Sequence, residues 1–420
     1  MVVGYHDRGG GSIRFNPFRA WQPAPGFAAK VAAPPYDVVS RSEAAALAAG
    51  NPLSFLHVGR AEIDLPPELD PYDSRVYLKA RENLHSLMAQ GVLVQDPEPS
   101  LYVYELTMGG RTQAGVVGCV HVDDYERDII RKHEKTRPDK EDDRTRHVLT
   151  LHANAEPVFL TYRRQPFIDQ AVASARRAPA REDFFTDDGV RHRIWRVPDP
   201  ASLLDAFRRV PAAYVADGHH RCASAWRAGR ELRRANAGHT GQEEYNWFLA
   251  VLFPSAELRI LSYNRVVKDL GGVAPEALLA RLAAVGHLAP TADPEPAAPG
   301  SFGIYLAGQW HRLTLDPATI DREDPIASLD ATLLQERILT PVLGVGDPRT
   351  DQRLDFVGGI RGVAALRDRV DRGEAAIAFA LFPTSLDQLL EVSDAGQIMP
   401  PKTTWFEPKL RSGLFVHTLD

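Results

Sequence analysis

The stretch Ala212-Ala213-Tyr214-Val215-Ala216-Asp217-Gly218-His219-His220-Arg221 runs from an apolar segment straight into a polar turn, and a helix-like segment follows at once. Tyr214 to Ala216 read as the end of a buried strand. Gly218 permits a tight turn, and Cys222 to Ala235 read as one amphipathic helix with Ala223, Ala225 and Trp226 toward its apolar side. A helix that starts there points free N–H groups and its positive dipole end into the turn. His219, His220 and Arg221 add donors suited to phosphate oxygens. The carboxylate of Asp217 is the candidate to hold a metal, with Mg²⁺ expected, or to orient a histidine. Asp-Gly is also a common turn pair, and paired histidines can be surface decoration. Two imidazoles, a guanidinium and a carboxylate within five residues of a strand-to-helix turn favour a functional site.

Composition bounds what such a site could serve. The 420 residues suffice for two or three domains, and an apolar share of 44% allows large cores. A formal charge of −6 with mixed signs gives no general attraction for polyanions, so bulk nucleic-acid binding is disfavoured. The two cysteines, Cys119 and Cys222, form no CxxC pair, which argues for a reducing compartment and against a disulfide framework or zinc ribbon. Cys222 stands beside Arg221 at a helix start, a setting that lowers a thiol pKa, but a small buried filler is the stronger reading. No apolar stretch is long enough to cross a bilayer and no secretory segment is recognised, so a cytoplasmic protein without membrane contact is expected.

Along the chain, residues 1–12 read as a flexible lead-in and 13–125 as an N-terminal α+β region. Residues 126–287 form the core that carries the opening motif, 288–300 a proline- and alanine-rich linker, and 301–420 a C-terminal α/β unit. Helices are expected at 42–49, 72–90, 328–339, 363–372 and 385–392. Strands are expected at 101–106 and 115–122, joined as an edge or platform hairpin, and at 158–162, 193–197, 247–253, 258–267 and 375–382. Asn51-Pro52-Leu53-Ser54-Phe55-Leu56-His57-Val58 reads as a capped turn entering a strand.

Two further polar clusters stand out. Arg131 to His147 is a dense charged run that a solvated helix would also produce. Within it His133 and Glu134 follow the apolar pair Ile129-Ile130, and no histidine stands four residues after His133, which excludes the HExxH zinc-protease pattern. The run supplies a carboxylate able to act as general base, with Lys135, Arg137 and Arg144 as phosphate partners. Near the C-terminus, Pro400, Pro401 and Pro408 hold Lys402 and Lys409 in a stiff segment suited to a closing loop, while Trp405 and Phe406 could instead pin the chain to a core. Asn51, Ser54 and His57 could line a pocket, although capping is the favoured role for Asn51 and Ser54. Asp37 is assigned to turn chemistry.

The motifs PPYDVVS, NPLSFLH, HEKT followed by DDRTRH, YVADGHHR and MPPKTTWFEPKLRSGL occur in this order across nearly the whole chain. Together they resemble the bacterial and archaeal family known as domain of unknown function 1015. The middle of the chain is similar to the ParB/sulfiredoxin superfamily, whose members hold nucleotide phosphates on an Asp-Gly-x-His-Arg type turn. The resemblance implies an α+β fold with a mixed-sheet ParB/sulfiredoxin-like core, an N-terminal elaboration and a C-terminal α/β unit. In the free serine kinases of that superfamily a glutamate is paired with such a turn. Carried over, Glu134 would be the base, Asp217 would assist metal or hydroxyl positioning, and Gly218, His219, His220 and Arg221 would grip phosphates; His133 is counted with Glu134 and Asp217 among the catalytic candidates. The implied activity is a phosphotransferase using ATP or ADP with Mg²⁺ on a small hydroxyl metabolite, free serine being the best guess. The alternatives are a non-catalytic nucleotide-binding switch that contacts DNA or protein, and a phosphoserine-type phosphatase.

Overall fold

A computed structural model describes residues 11–420, so most of the expected 1–12 lead-in lies outside the described residues. The chain divides into two compact units. One runs as far as Leu258 and regains the chain at Pro408–Asp420, and the other is Arg259–Glu407. The division therefore does not fall in the proline-rich 288–300 stretch. There His287–Pro290 is an edge strand paired with Gln309–Thr314 inside the second unit, and an edge strand is where a sheet tolerates proline. Nor do residues 301–420 form one body, because the last segment pairs within the first unit, His417–Thr418 lying against Ala153–Asn154.

In the first unit the described residues form a nine-stranded mixed sheet. Its order is Ile130–Arg131, Ala213–Asp217, Val158–Tyr162, Trp247–Pro254, Arg111–His121, Tyr102–Met108, Arg191–Arg196 and Glu182–Phe185, with Phe15–Asn16 also on Arg111–His121. Two pairings are parallel, Ile130–Arg131 with Ala213–Asp217 and Val158–Tyr162 with Trp247–Pro254, and the rest are antiparallel. The fold is thus α+β with a mixed sheet. Strands from 102–121 and from 130–254 share this sheet, so the expected division near residue 125 would cut through a single sheet. The hairpin expected as an edge or platform lies inside the sheet, because Trp247–Pro254 pairs with one of its strands and Arg191–Arg196 with the other. That strand is nearly continuously apolar, as burial on both faces requires. Gly118 has no side chain because Phe15 occupies the space: a Cβ there would lie 2.5 Å from the phenyl Cζ.

Helix His219–Ala235 sends Cys222, Ala223 and Ala225 into the core formed by Ile130, Leu160, Val215 and Leu252. Helix Pro138–Leu151 packs against it, with proline at its first position, where a missing N–H costs nothing. Residues 56–59 are a short helix where a strand was expected, since the Ser54 hydroxyl accepts the Leu56 N–H and turns the chain into a helical start. The second unit carries an antiparallel sheet ordered His287–Pro290, Gln309–Thr314, Ser301–Leu306, Ile377–Leu381, Tyr263–Val267 and Leu354–Gly358. The helix expected at 328–339 opens at Asp330, passes through a π turn at Gln335–Leu339, and ends at Leu343.

Candidate functional site

The site begins with one backbone conformation. Gly218 has φ +93° and ψ +36°, a region closed to most side chains, and the chain passes through this single residue from the strand Ala213–Asp217 into a 17-residue helix. The helix opens at His219, three residues earlier than its sequence pattern suggests. His219, His220 and Arg221 therefore form its first turn, and no side chain caps it. Strand pairing does the rest. Ile130 lies beside Ala213 and Arg131 beside Tyr214 in parallel register, so His133-Glu134, just beyond the first strand, and Asp217-Gly218, at the end of the second, arrive at the same end of the sheet.

His219 is 5% exposed and stands edge-on to His133, with ring centroids 4.5 Å apart at 88°. Its Nδ1 is 4.0 Å from Oε2 of Glu134, a half-exposed carboxylate. Its Nε2 is buried without a hydrogen-bond partner. Burial pushes His133 down to about 4, against Asp217 and the Val215 carbonyl, which favour its charged form. Burial, then the neighbouring His133, drives His219 well below the ordinary histidine range. Both rings are neutral at pH 7.

Beneath this face lies a bed of compensated charge. Arg221, 7% exposed, donates from Nη1 to the Pro157 carbonyl at 2.5 Å and from Nη2 to Asp217 at 3.1 Å, with Asp37 at 3.6 Å. Burial opposes its charge, and Asp37, Asp217 and Glu156 more than restore it, so its pKa is raised. Asp217 takes Arg221 on Oδ2 and Lys409 on Oδ1, the latter at 3.5 Å. Burial works to raise Asp217, but Lys409 and Arg221 outweigh it and hold the carboxyl at about 2. Arg144 bonds Asp143 at 2.9 Å and lies 4.1 Å over the Tyr36 ring. Glu156, raised by burial against the pull of Arg221 and Arg144, accepts from the Tyr36 N–H and the Ser412 hydroxyl.

The expected residues thus separate into groups. Glu134, His133, His219 and the helix-opening turn come together on one face. Arg221 and Arg144, expected to grip phosphate, lie in the bed among carboxylates and carbonyls, where Arg221 Nε and Arg144 Nη1 are buried without a hydrogen-bond partner. Asp217, expected to take Mg²⁺, pairs with Arg221 through Oδ2 and with Lys409 through Oδ1. Lys135 and Arg137 are exposed. Arg137 pairs with Asp139 at 2.8 Å, while its backbone N–H donates to Nε2 of His220 at 3.1 Å. Asn51 and Ser54 cap turns, accepting the N–H groups of Leu53 and Leu56. His57 pairs with Asp64 at 2.7 Å in a separate cleft of about 400 Å³ lined also by Lys79 and Asn83. Lys402 belongs to the second unit, 5.6 Å over the Tyr263 ring.

Sequence reasoning passed over Tyr36, Glu156 and Ser412, and gave Asp37 only to a turn. Tyr36, Asp37 and Ser412 stand within the PPYDVVS and MPPKTTWFEPKLRSGL motifs, which is the signal that could have found them, while Glu156 carries none. Cys222 is buried and its thiol is pushed up to about 12, mainly by burial, as suits a packing residue. No described helix is long and apolar enough to cross a membrane.

No curated protein matches the chain. Among solved structures, a free serine kinase in complex with AMP is similar at 13% identity, covering 69% of this chain and 86% of that one with a TM-score of 0.33. SbnI with a C-terminal truncation, from Staphylococcus aureus, is 14% identical over 72% of this chain and 87% of that one, with a TM-score of 0.35. A conserved hypothetical protein from Pyrococcus furiosus is 14% identical over 71% and 94%, with a TM-score of 0.33. A family model matches residues 15–332, most of the first unit and part of the second, and by that match the chain belongs to the family described as protein of unknown function (DUF1015).

Proposed function

We propose that the chain is a nucleotide-dependent phosphotransferase acting on a small hydroxyl metabolite, with free serine the first acceptor to try. The observation that carries this reading is the placement of Glu134 4.0 Å from His219, at an uncapped helix N-terminus whose turn matches a phosphate-binding pattern. Phosphoryl transfer asks little covalent chemistry of a protein. It needs donors for phosphate oxygens and one positioned base. The opening N–H groups of helix His219–Ala235 and its dipole would hold phosphates of ATP or ADP, and Glu134 would take the proton of the acceptor hydroxyl. Mg²⁺ would arrive with the nucleotide, since Asp217 is held by Arg221 and Lys409. The role of the buried arginines is then to fix the turn rather than to touch the nucleotide.

The test is to incubate the purified chain with ATP or ADP, Mg²⁺ and a panel of hydroxy amino acids, and to follow the phosphorylated product. Glu134→Gln keeps the shape and removes the base. Turnover is expected to fall roughly 10²–10⁴-fold while nucleotide affinity persists. Near-normal turnover in this variant sinks the assignment of Glu134. Nucleotide binding without any product across the panel replaces the enzyme with a nucleotide-binding switch, and phosphate release from phosphoserine without nucleotide replaces it with a phosphatase.

A further inference from the structure

We infer that His133, Glu134 and His219 form a binding site for a divalent transition-metal ion of the zinc class. One ligand atom from each residue lies within 4.8 Å of the others. Ligands on a common tetrahedral zinc ion at about 2.0–2.2 Å lie roughly 3.3–3.6 Å apart, so side-chain rotations that shorten the longest separation by roughly 1.2 Å close the set. Three features beyond proximity suit a metal. The donors are two imidazoles and one carboxylate, a set that favours Zn²⁺ and its neighbours over Mg²⁺, which prefers oxygen. The Val215 carbonyl accepts a hydrogen bond from the His133 ring, the outer contact that fixes the orientation and tautomer of a ligating histidine. Glu134 is half-exposed, which leaves a path for the ion and room for a fourth ligand from solvent.

The fold explains why this set was hidden in the sequence. His133-Glu134 and His219 are separated by more than eighty residues, in no metal-ligand spacing, and only the parallel pairing of Ile130–Arg131 with Ala213–Tyr214 brings them together. The inference goes beyond the phosphotransferase reading and does not depend on it, although ligation would draw on the same carboxylate that phosphoryl transfer needs as its base.

The full chain, stripped with chelator and freed of nucleotide, is titrated with Zn²⁺ by calorimetry and with Co²⁺ as an optical probe. The expected result is one equivalent of Zn²⁺ per chain and visible Co²⁺ bands of a four- or five-coordinate site. Glu134→Gln sits on the half-exposed ligand and is expected to keep the fold by circular dichroism while losing at least the roughly 10–100-fold in affinity that even outer-sphere partners control. His219→Asn is the second probe, with folding checked in the same way. Stoichiometric Zn²⁺ binding undiminished in both folded variants moves the ion elsewhere and overturns the site, as does a Co²⁺ spectrum identical to the aqueous ion. Stronger binding of Mg²⁺ than of Zn²⁺ overturns the metal class. Each measurement omits nucleotide and acceptor, so a chain that binds Zn²⁺ yet transfers no phosphoryl group retains this site and loses the proposed activity, and the converse result does the opposite.

Discussion

The two units bury charge in opposite ways. In the first, Arg221 and Arg144 lie among Asp37, Asp143, Asp217, Glu156 and the Tyr36 ring, and each guanidinium is held in its charged form. In the second, Arg265 is buried beside Phe356 and donates to backbone carbonyls, those of Tyr263 and Pro401, and burial brings it down to about 10. Asp330 is its acidic counterpart: 8% exposed, with Oδ1 accepting the Gly300 N–H and Oδ2 unpartnered, it is raised by burial to about 7. A buried charge with an opposite neighbour keeps its charge and makes the neighbour indispensable. A buried charge without one leans toward neutrality and is cheap to replace. The first unit therefore has a rigid electrostatic bed under its candidate site, and the second has isolated polar groups that tune stability.

The same substitution made in both units gives the sharpest contrast. Arg221→Met leaves Asp37 and Asp217 facing an apolar side chain in a buried setting, and breaking such a pair costs about 3–5 kcal/mol. Arg265→Met removes a poorly compensated charge at similar volume, and a change within about 1 kcal/mol is expected. The readout is urea-dependent hydrogen exchange, which reports each strand by itself, followed in strand Val158–Tyr162 for the first variant and in strand Ser301–Leu306 for the second. Equal losses in the two variants would break the comparison. A weakened nucleotide affinity in Arg221→Met with the exchange unchanged would return Arg221 to direct phosphate contact.

Asp330 gives a smaller effect with a definite sign. Its folded pKa of about 7 lies above the usual carboxylate value of 3.8, so the folded chain holds this proton more tightly than the unfolded chain. The contribution to stability is full below about pH 4, declines as pH rises through this window, and is gone above about pH 7. Asp330→Asn keeps an acceptor for the Gly300 N–H and cannot ionise. It is expected to be indistinguishable from the parent near pH 4 and more stable at pH 8 by on the order of 4 kcal/mol, the scale that follows when the folded and unfolded values stand this far apart. Hydrogen exchange of strand Ser301–Leu306 at the two pH values measures it. A pH-independent difference would mean that Asp330 is not the titrating group.

How much of this was legible in sequence follows from what local pattern can carry. Strands such as Val158–Tyr162 and Trp247–Pro254, the hairpin at Met108 to Arg111 and the strand-to-helix turn at Gly218 are written in short apolar runs and glycines, and they stand where the pattern puts them. The direction of a buried polar side chain is not written there. Arg144 and Arg137 stand in one charged run, yet the first stacks on Tyr36 inside the unit and the second pairs with Asp139 in solvent, because helix Pro138–Leu151 turns one polar face inward onto helix Ser74–Ala89 and helix His219–Ala235. Glu156 stands in a short apolar context with no motif, and only the positions of Arg144 and Arg221 give it meaning. The domain boundary was misplaced for a related reason. Proline and alanine between residues 288 and 300 look like a linker, but the stretch is the end of an edge strand, His287–Pro290, and the loop after it, both inside the second unit.

The least of the expected effects tests whether burial, rather than membership of one unit or the other, sets these magnitudes. His57 and Asp64 form an ion pair in the first unit, 2.7 Å apart, with each side chain about one-fifth exposed. The Asp64 hydrogen bond raises the pKa of His57 although burial works to lower it. Burial likewise acts to raise Asp64, and the hydrogen bonds from His57 and Asn83 overcome it and lower the carboxyl. Together the two groups define a pH window. The histidine contribution is complete below its unfolded value near 6.5 and is lost as pH rises through the raised folded value, while the carboxylate contribution is present above 3.8 and is lost as pH falls through its lowered one. Solvent screening at a partly exposed pair keeps the effect near about 0.5 kcal/mol. His57→Gln is therefore expected to lose that amount at pH 5.5 and nothing measurable at pH 9, and raising the salt concentration at pH 5.5 should shrink the difference. A loss of several kcal/mol, comparable with Arg221→Met, would show that His57 belongs to a buried network like the bed under Arg221, and that the cleft beside it is as rigid as the candidate site.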